Sequence, residues 1–65
     1  MYRLTGTTES GEAVSKEYDT REAGQQAFHY LDPLLGSEQL HPVLVTLALD
    51  RLDNGEWVNV DYSEI

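Results

Sequence analysis

The side chains that could do chemistry in this sequence are mainly carboxylates. There are 12 Asp and Glu residues against 4 Lys and Arg residues, which gives a formal net charge of −8 over 65 residues. Carboxylates can act as general acids or bases, hold metal ions, or present negative charge to a basic partner. In so acidic a chain many carboxylates are neighbours by chance, so their proximity alone does not indicate catalysis.

The sequence lacks the residue spacings that are typical of metal-binding sites and of catalytic nucleophiles. The two histidines, His29 and His41, fall in different predicted elements, and the chain has no cysteine. The segment 50–55 touches the calcium-loop pattern, but Leu52 stands where a ligand is required. No glycine-rich phosphate loop and no nucleophile elbow is present. We therefore expect no catalytic residue, no metal and no cofactor, and a protein that is not an enzyme.

The negative charge is concentrated towards the end of the sequence. Residues 50–65 contain Arg51 against five acidic residues, a net charge of −4. Trp57 lies within this segment, and an aromatic ring among carboxylates can anchor a partner's Arg or Lys. Alternatively, the charge serves only solubility, and Trp57 is simply covered by its cross-strand neighbour Leu52. The sequence leaves both interpretations open.

The first third of the chain has the pattern of a β-hairpin. Residues 2–8 and 12–18 are predicted as strands, joined by a turn at 9–11. Val14, Lys16 and Tyr18 share one face of the second strand. Because a charged residue interrupts that apolar face, we predict that this strand lies at an edge of the sheet.

A helix is predicted next. Asp19 and Glu22 have the spacing of a capping box at its start, and Pro33 predicts an end near residues 31–32. A further short turn would end at Gly36. The apolar stripe expected on the helix and this turn comprises Ala23, Ala27, Tyr30, Leu31, Leu34 and Leu35, with Phe28 at its border.

The last part of the chain predicts a second hairpin. Residues 43–52 are almost continuously apolar, residues 56–63 alternate, and Asn54-Gly55 favours a two-residue type I′ turn. This turn pairs Asp53 with Glu56, and hence Leu49 with Val60 and Leu47 with Tyr62. The predicted core face then contains Val45, Leu47, Leu49, Val58, Val60 and Tyr62. The opposite face contains Asp50, Leu52, Trp57, Asn59 and Asp61.

Together these elements predict a single α+β domain over residues 1–65. We expect a four-stranded antiparallel sheet with one helix packed on one face, in the order β-β-α-β-β. No apolar stretch has the length of a membrane span or the position of a signal peptide, so we expect a cytoplasmic protein that does not bind membranes. The net charge disfavours direct binding to nucleic acid.

A known family has these properties. A short, acidic, cysteine-free chain of this type, ending in the hairpin Asp53-Asn54-Gly55-Glu56-Trp57-Val58-Asn59-Val60, resembles the small phage-borne anti-CRISPR proteins. The resemblance covers the whole chain in size, charge and overall type. It implies a non-enzymatic inhibitor in the cytoplasm of the host cell. In such an inhibitor, carboxylates take the place of DNA phosphates on a Cas effector subunit.

We expect the partner-binding residues to be mainly on the second hairpin, with a basic protein surface as the partner. An alternative is an accessory or adaptor domain that associates through a sheet edge by apolar contacts, although a monomer is favoured over a dimer. The expected phosphate surrogates are Asp50, Asp53, Glu56, Asp61 and Glu64. Trp57 is the expected anchor, and Glu9, Glu12 and Glu17 extend the acidic surface.

Overall fold

In a computed structural model, which describes all 65 residues, two β-hairpins are connected by a helix. The elements are β1 (Tyr2–Thr8), β2 (Ala13–Tyr18), α1 (Arg21–Leu31), a 3-10 turn (Asp32–Leu34), β3 (Leu44–Asp53) and β4 (Glu56–Glu64). The strands form one antiparallel sheet in the order β2-β1-β3-β4. The predicted α+β architecture is confirmed, and so is the position of β2 at an edge.

Both hairpin turns follow from local chemistry. Asn54 and Gly55 have φ values of 50° and 81°, the left-handed pair that a type I′ turn requires. In the first hairpin, the Thr8 N–H donates to the Glu12 carbonyl at 2.8 Å, and the Glu12 N–H donates to Thr8 Oγ1 at 3.0 Å. The buried Thr8 hydroxyl is therefore paired, as a buried polar group must be.

The helix begins one residue later than a cap at Asp19 would place it. Thr20 is the N-cap, with extended backbone, and its Oγ1 accepts a hydrogen bond from the Ala23 N–H at 3.2 Å. The capping oxygen must reach the third helical N–H, which the Asp19 side chain is one residue too early to do. The end of the helix at Leu31 is as predicted from Pro33.

The face that the helix buries overlaps the predicted stripe in part: Ala27, Leu31 and Leu35 pack against the core as predicted, but the centre of the face differs. Phe28, placed at the border of the stripe, is only 2% exposed, whereas Tyr30 is 69% exposed. Gly24, Phe28 and Leu31 follow one another at helical spacing and face the sheet. The prediction was wrong for Tyr30 and Phe28, because it gave Tyr30 a core position and disregarded Gly24, which has no side chain to contribute to an apolar pattern.

Gly24 sets the distance between the helix and the sheet. A Cβ atom at this position would lie 3.0 Å from Leu49 Cδ1 and 3.5 Å from Tyr2 Cβ. Without that atom, the helix backbone lies directly over the two central strands, β1 and β3. The core that results is a cluster of five buried side chains: Leu4, Phe28, Leu44, Leu47 and Leu49.

The register of the second hairpin departs from the predicted one beyond Asp50. Asp53 pairs with Glu56, and Asp50 with Asn59, but Leu49 then pairs with Asp61 and not with Val60. Val60 is the extra residue of a β-bulge, which shifts every later side chain of β4 to the other face.

The predicted core face is therefore only partly correct. Ser63, and not Tyr62, lies opposite Leu47, and Val58 and Tyr62 are 41% and 53% exposed. Asp61 lies opposite the buried Leu49, on the helix side of the sheet and not on the opposite face. Ser63 on that side donates a hydrogen bond to Asp32 of the 3-10 turn.

A second bulge changes the start of β3. Thr7 pairs with Thr46 and Thr8 with Leu44, which leaves Val45 as the extra residue. Leu44 consequently joins the core, and Val45 remains half-buried. A pattern of continuous apolar residues could not show which of these two neighbours faces inward.

Replacing Phe28 with Ala tests this core. We expect the free energy of unfolding to fall by about 3 kcal/mol or more, because a fully buried aromatic side chain leaves a cavity. Tyr30→Ala on the same helix is the matched control, with an expected loss within about 0.5 kcal/mol. Urea unfolding followed by far-UV circular dichroism measures both. Equal losses for the two variants contradict a core centred on Phe28.

Candidate functional site

One face of the sheet is covered by the helix, and the other, which we call the open face, is not. Across the open face the strand register places Glu17, Arg3, Asp50 and Asn59 in one row, from β2 to β4. Leu52 and Trp57 form the adjacent cross-strand pair. The predicted positions of Asp50, Leu52, Trp57 and Asn59 on the face away from the core are confirmed by this register.

Trp57 is in contact with a cation of its own chain. The guanidinium carbon of Arg3 lies 4.2 Å from the centroid of the Trp57 ring, within the range of a cation–π interaction. The ring is half-buried. Trp57 is thus covered by Arg3 as well as flanked by Leu52, so the aromatic side chain stabilises the junction of β1 with the second hairpin.

Asp50 is also occupied. Arg3 Nη2 lies 3.4 Å from Asp50 Oδ2, and Asn59 Nδ2 donates to Asp50 Oδ1 at 3.0 Å. The Asp50 side chain is only 14% exposed. Its charge is therefore balanced within the protein, so little of its charge and hydrogen-bonding capacity is available to a partner.

The remaining carboxylates of the hairpin are in different environments. Asp53 lies 3.7 Å from Arg51, but both side chains are about half exposed, and such surface pairs stabilise little. Asp61 accepts a hydrogen bond from the Tyr62 N–H at 3.0 Å. Glu56 is exposed and has no ion-pair partner.

Glu64 is linked to a tyrosine at the end of β4. The Tyr62 hydroxyl donates to Glu64 Oε2 at 3.3 Å. Partial desolvation, together with the charge and the hydrogen bond of Glu64, raises the pKa of Tyr62 above its ordinary value. The raised pKa moves Tyr62 further from ionisation, although an ordinary tyrosine is already a neutral hydrogen-bond donor at physiological pH.

The expected site residues do not form one patch. Because β3 spans ten residues, the two ends of the sheet lie about 30 Å apart. We call these the Asn54 end and the Gly11 end, after the turn at each. The exposed carboxylates at the Asn54 end are Glu17, Asp19, Glu22, Asp53 and Glu56, and those at the Gly11 end are Glu9, Glu12 and Glu64.

Most of the negative charge has no internal counter-ion. Ten of the twelve carboxylates have no cation within 4 Å, because only Asp50 and Asp53 form ion pairs. The Lys16 ammonium lies over the Tyr18 ring, 5.5 Å from its centroid, and Arg21 is exposed without a carboxylate partner. The body that holds this charge is elongated, measuring 36 × 21 × 16 Å.

The sequence did not predict an apolar groove beside β2. It has a volume of about 230 Å³. The groove lies between β2 and the end of α1, because the helix lies over the two central strands and leaves most of the edge strand exposed. Its floor and walls include Leu4, Leu44, Leu47, Val14, Tyr18 and Leu31.

Two signals in the sequence pointed to the features that were missed. Arg3 alternates with Tyr2 and Leu4, which places its side chain on the face away from the core, but its partners depend on a strand order that was not predicted. Val14 and Tyr18 alternate on a strand predicted to be an edge, where no second strand can cover them.

No three His, Asp or Glu side chains converge to form a metal site. The single α-helix is neither long nor apolar enough to cross a membrane.

Replacing Arg3 with Ala tests the contact with Trp57. We expect the midpoint of thermal unfolding to fall and the fluorescence of Trp57 to be quenched more strongly by acrylamide, because the ring loses its cover. Arg21→Ala is the matched control, since it removes an equal charge that has no partner in the structure. Unchanged quenching in the Arg3 variant contradicts the stacked arrangement.

Comparisons of the chain with protein-family models, with curated proteins and with solved structures found no significant match.

Proposed function

We propose that this protein is a non-enzymatic inhibitor that binds a basic protein surface and keeps nucleic acid away from it. The target that the resemblance described above favours is a subunit of a CRISPR-Cas effector complex in the cytoplasm of a host cell. The inhibitor forms no covalent bond with its target and needs no cofactor. It acts by occupying the surface on which the phosphate backbone would otherwise lie.

The observation that supports this proposal is the set of ten carboxylates without a cationic partner on a body 36 Å long. A single strand of B-DNA carries one phosphate per about 3.4 Å, and so about eleven phosphates over the same length. The number of uncompensated charges is thus close to that of one strand. The electrostatic field of these carboxylates attracts a cationic surface from a distance and speeds its association with the protein.

The geometry favours some of the expected site residues over others. We assign contact with the target to the exposed carboxylates at the two ends, chiefly Glu9, Glu12 and Glu64 at one end and Glu17, Asp53 and Glu56 at the other. Asp50 and Trp57 have a supporting role, since Arg3 already binds both. Asp61 lies between the ends, on the edge strand β4.

Neutralising each end separately tests this function. One variant combines Glu9→Gln, Glu12→Gln and Glu64→Gln, and the other combines Glu17→Gln, Asp53→Asn and Glu56→Gln. The target is first identified by capture from the lysate of a CRISPR-bearing bacterium and mass spectrometry. Displacement of DNA from the purified target is then measured by electrophoretic mobility shift. We expect stoichiometric displacement by the wild type and at least about tenfold weaker displacement by each variant.

Arg21→Gln is the control, because it makes the protein more acidic without changing a carboxylate and should preserve or strengthen displacement. We also expect the affinity for the target to fall as the salt concentration rises, since screening weakens contacts between exposed charges. A captured protein that keeps its DNA, or binding that is insensitive to salt, contradicts the proposal. Such a result favours the alternative of an adaptor held by apolar contacts.

A further inference from the structure

The outer edge of β2 has free backbone hydrogen-bonding groups. The Thr8 N–H donates to the Glu12 carbonyl, and hydrogen-bonded pairs alternate along an antiparallel ladder. Continued along the β1–β2 register, this alternation directs the N–H and C=O groups of Ala13, Ser15 and Glu17 away from β1. Because β2 has no other neighbour, these groups form an unpaired edge.

The apolar groove lies directly beside this edge. A strand added to β2 would direct alternate side chains to the helix side of the sheet, where Val14 and Tyr18 form one wall and Leu31 forms part of the lining. At about 230 Å³ the groove is smaller than the usual 300–1,000 Å³ of small-molecule pockets. It suits a few aliphatic side chains better than an enclosed ligand.

The charge around the β2 edge determines which polar side chains a partner segment should carry. Unpaired, exposed carboxylates lie beyond both ends of β2, in the β1–β2 turn and at the start of α1, and one lies on the open-face side of β2 itself. These residues are Glu9, Glu12, Glu17, Asp19 and Glu22. Lys16 lies over Tyr18 and balances none of them by direct contact. A basic segment is therefore favoured along this edge.

The same charges disfavour a second copy of this chain. A two-fold contact between two β2 strands would bring the same five carboxylates of each copy close to those of the other. Like charges across a strand pair are destabilising, and each copy has a net charge of −8.

We propose that β2 and the adjacent groove bind an extended segment of a partner protein in which apolar and basic residues alternate. The segment adds a fifth strand to the sheet, so backbone hydrogen bonds to residues 13, 15 and 17 provide affinity. Its apolar side chains enter the groove, and its Lys or Arg side chains lie along the open face beside Glu17. This site shares Glu9, Glu12 and Glu17 with the proposed inhibitory contacts, but it depends in addition on the β2 backbone and on apolar packing, which those contacts do not use.

A synthetic peptide tests the proposal directly. The probe is a fluorescein-labelled, end-capped octapeptide of four Lys-Val repeats, and the reference replaces each Lys with Glu. We expect fluorescence anisotropy to show at least tenfold tighter binding of the Lys-Val peptide. The backbone amide signals of Ala13, Ser15 and Glu17 should shift in two-dimensional NMR spectra. Equal affinity for both peptides, or shifts confined to β4, overturns the proposal.

Ser15→Pro removes an outward N–H without removing a hydrogen bond to β1, and should weaken peptide binding at least tenfold. Ser15→Thr, which keeps that N–H, should bind like the wild type. If Ser15→Pro does not fold, Val14→Asp replaces it as the test. Val14 is 38% exposed, so the variant should fold, and its replacement removes one apolar wall of the groove and should weaken peptide binding. A folded variant of either kind that binds like the wild type overturns the proposal, and so does a dimer formed through β2 in analytical ultracentrifugation.

The two proposals fail independently. Ser15→Pro keeps every carboxylate, so displacement of DNA from the target should persist when peptide binding is lost. Glu56→Gln and Glu64→Gln, each made alone, leave the carboxylates around β2 in place, so weaker displacement in these variants with peptide binding intact supports the reverse separation.

Discussion

The close packing of one helix against two strands is the interaction on which the rest of this structure depends. Gly24 allows the helix backbone to lie over Leu49, and Phe28 fills the space next to it. Five side chains then form the whole buried apolar core. Because a helix of eleven residues lies mainly over the central strands, the two edge strands are covered only in part and one complete face of the sheet remains uncovered. The groove and the acidic surface are consequences of the small area that this one short helix covers.

The charge distribution also follows from the small size of the core. With so small an interior, nearly every ionisable group lies at the surface, where water reduces repulsion between carboxylates. The one well-organised ionic cluster, Arg3 with Asp50 and Trp57, lies where β1 meets the second hairpin. It connects elements that are far apart in sequence, and it uses one of the few cations of the chain. The other carboxylates remain free to interact with a partner.

The sequence was sufficient to predict the elements and their order, because their signals are local. Asn54-Gly55 specifies its turn, and Pro33 ends the helix. Alternation, or in β3 a continuous apolar run, identifies the strands within one residue at each end. The positions of Asp61 and Tyr62 could not be predicted, since a bulge at Val60 has no signature in an alternating segment. The occupation of Asp50 by Arg3 also required the pairing of β1 with β3, which depends on contacts between distant parts of the chain.

The bulge at Val60 has a consequence for which edge of the sheet suits a further strand. It interrupts the regular ladder of β4, so the backbone groups on the outer edge of that strand are not evenly spaced for another strand. The opposite edge, β2, pairs with β1 without a bulge. Of the two edges, β2 therefore presents the more regular backbone ladder, and an added strand would find the better template on that side of the sheet.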